Sequence, residues 1–200
     1  PPSLNRDSEA QQAEFTRIAG KFMGPNHRRG HTYTWLPNHL ADGRRQTSPR
    51  SFLTALRTAV DTTVHTYAKH SSPLHWDAIK QGVQKASTGR VKEIGEDLPW
   101  VASTVAPLQG LQVPIAQEDI LRRWTERDLR SLLRRQAENS SDDEAVRTGP
   151  QHLDDYPRLV DELISLGIMT RRVNGKLDLP DVYRVAFGLG RRGGVPRVNA

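Results

Sequence analysis

The sequence predicts a mainly α chain, a helical bundle followed by a winged-helix domain with a small β-hairpin. Two observations carry this. Apolar residues recur at helical spacing from Phe15 to Ile94. From Pro99 onward, the order helix, extended segment, helix, helix and hairpin is that of a winged helix, and the hairpin is marked by Asn174-Gly175 between two β-prone runs. With 200 residues, the chain suits one large or two small domains, and the change of rhythm places the boundary between residues 1–97 and 98–200.

The first helix is expected from about Glu9 to Met23, opened by a capping box of Ser8 and Gln11 and stopped by Gly24-Pro25. A basic loop, 26–30, leads to a short helix carrying Tyr33, Trp35, Leu36 and Leu40. Thr47-Ser48-Pro49 then opens a helix with Phe52, Leu53, Leu56, Ala59, Val60 and Val64 on one face; Ser48 can cap its free amides, and Pro49 costs no needed donor in the first turn. After Pro73, Trp76 to Ile94 repeat the helical pattern, with Gly82 and Gly89 offering close helix contacts.

In the second half, a short helix over 100–108 precedes extended 112–116 and a helix opening at Gln117-Glu118-Asp119, whose acids suit the positive end of the helix dipole. That helix is expected to run on through Leu133, and the acidic stretch near 138–150 reads as an exposed loop. Leu153 to Leu166 form an apolar helix face ended by Gly167. Strands over 168–173 and 176–179 flank a two-residue Asn174-Gly175 turn, and Asp181 starts a last helix.

Lys plus Arg number 29 against 23 Asp plus Glu, a net charge of +6. Residues 1–70 carry 10 positive and 5 negative groups, so the excess is mostly N-terminal. Arginine outnumbers lysine 23 to 6, which suits bidentate recognition of carboxylate or phosphate, although genome composition alone accounts for such a bias. The chain has no cysteine, excluding disulfides and thiol chemistry. No run approaches a membrane span, and Pro1-Pro2-Ser3 is unlike a signal peptide, so no membrane partner and a cytoplasmic location are expected.

Two stretches, Phe22-Met23-Gly24 with Arg28-Arg29-Gly30-His31-Thr32-Tyr33-Thr34-Trp35, and Thr47-Ser48-Pro49-Arg50-Ser51-Phe52-Leu53, resemble the region after the nucleotide-binding core in bacterial P-loop ATPases of the AAA-related and STAND-like kind. Leu166-Gly167-Ile168, Asn174-Gly175 and Leu179-Pro180-Asp181-Val182-Tyr183-Arg184 resemble the winged-helix part of such proteins. The likeness implies a lid-like helical bundle in which Arg50 senses nucleotide phosphates. An arginine at a helix N-terminus adds donors where anions are already favoured, and Ser48 or Ser51 can orient a phosphate. A plain capped helix with a surface arginine fits the same residues.

The sequence departs from those ATPases in lacking a G-x-x-x-x-G-K-[ST] loop; Gly175-Lys176 lies in the hairpin and is followed by Leu177. The chain is therefore expected to be no enzyme by itself and to hold no cofactor, with ATP and Mg entering only through an upstream P-loop core. The partners implied are that core, in cis or in trans, and a further protein. The function implied is regulatory, coupling nucleotide state to a partner.

Other chemistries are weakly signalled. His27, His31, His39 and Asp42 match no metal-ligand spacing, and His65, His70 and His75 recur every five residues, which scatters them around a helix. There is no G-x-S-x-G elbow. The rival reading is a winged-helix DNA-binding protein using Arg171, Arg172 and Lys176 on the wing with Arg191 and Arg192 in the tail. Against it, the helix preceding the hairpin offers Asp154, Asp155, Asp161 and Glu162 to the phosphates and only Arg158 in their favour.

Overall fold

The computed structural model describes residues 7–138 and 149–191. Residues 139–148 of the expected acidic loop, and Arg192, lie outside them. The described residues are mainly helical with one small two-stranded antiparallel sheet.

Helix α1 (Ser8–Ala19) is capped by Asp7 rather than Ser8: the carboxylate, a charged acceptor suited to the dipole, takes the amides of Glu9 at 3.1 Å and Ala10 at 3.0 Å. It also ends sooner than its apolar pattern suggests. Gly20 takes φ 70°, and the chain turns out so that the Met23 amide donates to the Gly30 carbonyl at 2.9 Å. Met23 still reaches the core, from the bend after α1. Helix α2 (Thr32–Leu40) follows, and the loop after it closes where the Asp42 carboxylate accepts the amides of Arg44 and Gln46.

The long helices α3 (Pro49–Thr66) and α4 (Trp76–Asp97) lie antiparallel. Gly82 makes the approach possible, because a Cβ there would overlap the Ala55 carbonyl. Gly89 faces open space and serves no helix contact, contrary to the sequence reading. The first apolar cluster joins α1 to α4 through Leu36, Leu40, Ala55, Ala59, Ile79 and Val83.

The second cluster begins on α4 at Ile94 and takes in α5 (Pro99–Val105), α6 (Gln117–Glu126), α7 (Leu129–Glu138) and α8 (Tyr156–Ser165). The helix expected to run from Gln117 through Leu133 is broken at Asp128, which adopts φ 48°. The break lets Trp124 and Leu129 both reach the interior, whose apolar demand overrides the unbroken helical pattern. Fully buried Trp124 donates its indole N–H to the Thr104 carbonyl at 2.8 Å. Helix α8 starts at Tyr156, capped by Asp155, and leaves Leu153 in the preceding turn.

Strands β1 (Thr170–Arg171) and β2 (Leu177–Asp178) pair Thr170 with Asp178 and Arg171 with Leu177. That register leaves three residues, Val173, Asn174 and Gly175, in the loop instead of two. The Gly175 amide donates to the Arg172 carbonyl at 2.9 Å, the Arg172 amide donates to Lys176 at 2.8 Å, and Gly175 alone takes positive φ. This is a turn with a glycine bulge, which needs only one left-handed residue. On the edge of β2 away from β1, Leu177 and Ile115 exchange both backbone hydrogen bonds at 2.8 Å.

Helix α9 (Asp181–Arg184) packs on α4 and α2. Beyond it, Val185 belongs to the first apolar cluster and the Ala186 amide donates to buried Ser87 on α4 at 3.0 Å. The end of the described chain thus closes against its beginning.

Candidate functional site

The start of α3 and the middle of α4 border a cleft of about 330 Å³ lined by Asp42, Thr47, Ser48, Ser51, Arg90 and Val182, among others. Ser48 holds the N-cap position through its backbone, whose carbonyl accepts the Phe52 amide at 3.0 Å, but its side chain makes no cap bond, correcting the expectation. Ser51 is 5% exposed, and its hydroxyl has no hydrogen-bond partner among the described residues.

Arg50 stands on the rim. Its side chain is 79% exposed and reaches Glu93 on α4, Nη1 to Oε1 at 3.0 Å. The other Glu93 oxygen takes Arg90 at 3.2 Å. Partial burial works against the Glu93 carboxylate, but the hydrogen bonds from Arg50 and Arg90 outweigh it and hold its pKa below the ordinary value. Burial likewise opposes the Arg90 cation, yet the Tyr183 hydroxyl and Glu93 keep its pKa raised. Buried Tyr183 is in turn pushed up by desolvation, with Arg90 pulling the other way. Arg90, rather than Arg50, is the cation that lines the cleft.

A second constellation lies where β2, α9 and α2 meet. Asp178 and Asp181 are 4% and 3% exposed, so each carboxylate must be paired. Asp181 accepts Arg184 Nε at 2.6 Å, Arg191 Nη1 at 2.7 Å and His39 Nδ1 at 2.5 Å. Asp178 accepts Arg191 Nη2 at 2.5 Å and both Nε and Nη2 of Arg172. Burial alone would raise the Asp181 pKa; His39, Arg184 and Arg191 reverse this and bring it down to about 2. Such a network is retained charge by charge, because removing one partner strands another in the interior.

Of the arginines assigned from sequence to wing and tail, Arg171, Arg172 and Arg191 are described, and each is drawn into an ion pair. Arg172 and Arg191 are bound as above, and Arg171 is held by Asp161 at 3.0 Å and Gln117 at 2.9 Å. Lys176 is exposed on the hairpin, with no side-chain partner among the described residues. Asp154 is met by Arg130 at 2.9 Å and Arg134 at 3.0 Å. Sequence reasoning missed His39, Arg90, Glu93 and Asp178 as members of these sites. The i, i+3 spacing of Asp178, Asp181 and Arg184 was the one local signal available.

Among the described residues, no group of three or more His, Cys, Asp or Glu is placed to hold a metal ion, and no helix is long and apolar enough to cross a membrane. No family model, curated protein or solved structure matches this chain.

Proposed function

We propose that this chain is a non-catalytic regulatory module of a bacterial P-loop ATPase, a helical lid followed by a winged helix that couples nucleotide state to a partner. The observation that carries the reading is Arg50: it sits in the first turn of α3, 79% exposed, held only by a carboxylate that Arg90 also holds. A phosphate offered by a docked core could take Arg50 from Glu93 at small cost, since an exposed ion pair is worth about 0–1 kcal/mol. Glu93 would keep Arg90 as its counter-ion. Ser48 and Ser51 stand beside the same helix start with side chains free to bond. The winged-helix reading is supported by the bridge that sets extended Ile115 against β2, beside the hairpin, with α6 to α8 between them in sequence.

The DNA-binding alternative is weakened by one specific observation: Arg172 and Arg191 are held by buried Asp178, and Arg191 also by buried Asp181, leaving Lys176 and Arg171, in an exposed pair with Asp161, as the wing cations a duplex could take among the described residues. Fewer wing cations then remain to displace counterions from a duplex.

The test begins with the reading frame upstream or with a co-purifying ATPase; a Walker lysine is expected in one of them. In the resulting ATPase, Arg50→Ala should lower partner-dependent ATP turnover by about 10–100-fold, with the melting temperature of the chain unmoved. Unchanged turnover sinks the sensor role. Duplex binding at low salt that falls when Lys176 and Arg192 are neutralised would favour the alternative.

A further inference from the structure

The exposed apolar side chains of the described residues are mostly isolated: Ile18, Leu132 and Val173 each stand on a different element, as single surface apolar residues commonly do. Helix α3 is different. Leu53, Val60 and Val64 are 65%, 46% and 62% exposed, and at i, i+7 and i+11 they fall on one stripe along the helix. Half-buried Leu56 flanks it on one side. On the other flank, Arg57 and Asp61 are both exposed, and neither side chain makes a hydrogen bond or ion pair among the described residues. Their order, cation before anion at i, i+4, is the less favourable one for pairing within a helix, so both charges remain available to an outside partner.

The stripe is complementary to itself. Laid antiparallel with its own copy, α3 sets Leu53 against Val64 and Val60 near its own mate. In the same register, to within one residue, Arg57 meets Asp61 and Asp61 meets Arg57. A twofold axis normal to the two helices keeps the charged flank of one beside the charged flank of the other, as a reciprocal interface requires. The overlap covers about 15 residues, roughly 22 Å of helix.

We propose that α3 is a self-association surface: two copies of this chain pack their α3 helices antiparallel, with three apolar layers bounded by reciprocal Arg57–Asp61 ion pairs. An apolar stripe alone would accept many partners; the paired charges select this orientation. The assembly is small and its rim electrostatic, so it should be reversible and salt-sensitive. It does not depend on the nucleotide reading, because none of its contacts involves Arg50.

The test uses the 200-residue chain, which has no cysteine of its own. Sedimentation equilibrium should show a monomer–dimer equilibrium. Val60→Asp, which places two carboxylates together near the axis, should raise the dissociation constant by about 100-fold or more. Arg57→Asp and Asp61→Arg should each raise it by about tenfold, and the double reversal should restore it to within about threefold. Melting temperatures exclude loss of fold as the cause. Mild oxidation should cross-link Val60→Cys as a dimer but leave Gln81→Cys, on the exposed side of α4, monomeric. A chain that stays monomeric at every concentration with Val60→Cys uncross-linked overturns the proposal, leaving the stripe to a different protein. So does a dimer indifferent to both single reversals.

Discussion

Replacing Gly82 by alanine separates two effects of opposite sign. Helix propensity alone says that Gly→Ala inside α4 stabilises the fold by about 1 kcal/mol. The packing says otherwise. A Cβ at Gly82 would overlap the Ala55 carbonyl oxygen and lie 3.0 Å from its carbon and 3.2 Å from Ala55 Cα. The obstacle is the backbone of a second helix, not a side chain that can swing aside, so α3 and α4 must move apart along their contact. Overpacking of this kind costs about 1–3 kcal/mol; at the upper end, the propensity gain leaves a net loss of about 2 kcal/mol. For a domain this size, that lowers the melting temperature by roughly 4–8 °C. Gly89, seven residues along the same helix, is the internal control: nothing lies within 4 Å of a Cβ built there, so Gly89→Ala should raise the melting temperature by roughly 2–4 °C. Thermal melts followed by circular dichroism, with urea denaturation to check that the slope is unchanged, read both effects. Two glycines that respond with the same sign would refute the close contact between α3 and α4.

The pH dependence of stability should carry the mark of Asp181. Its folded pKa of about 2 lies below the ordinary 3.8, so its contribution is complete above about pH 4 and lost as pH falls through 2; a shift of this size is worth about 2 kcal/mol. Denaturation across that window should show the loss, and Asp181→Asn should flatten it while costing about 3–5 kcal/mol at neutral pH, since it takes from buried Arg184 the carboxylate it pairs with, while Arg191 keeps Asp178. In the hairpin, Gly175→Ala should cost about 1 kcal/mol, because φ 78° is strained for any side chain even where space is open. Val173→Thr, at a fully exposed position, should leave the unfolding midpoint within about 0.5 kcal/mol of the parent.

What could be read from the sequence was what is local. The period of Phe52, Ala59 and Val83, the proline at the start of α3 and the glycine-marked turn each act within a few residues, and helices α3, α4, α8 and the hairpin follow from them. Boundaries failed where a charged or glycine residue outcompeted the pattern: Asp7 took the cap from Ser8, Gly20 ended α1 ahead of Phe22, and Asp128 split α6 from α7. Hairpin register failed by one residue, since Asn-Gly serves both a two-residue turn and a bulged three-residue one. The carboxylate network was invisible for a different reason. His39 and Asp181 are 142 residues apart, and an arginine beside glycine and arginine reads as a basic tail until the acids that neutralise it are placed next to it. For Arg50 the chemistry of the helix start was legible, but its tether to Glu93 on the neighbouring helix was not.

The return of α9 and Val185 onto α2 and α4 bears on how the polypeptide is made. During translation the N-terminal helices emerge first, yet the acid that receives His39 and the valine that completes their apolar cluster leave the ribosome only after another 142 residues or so. At about 5–20 residues per second, that delay is roughly 7–30 s. Through that interval the nascent bundle has an unfinished wall, open until Asp181 and Val185 arrive to close it.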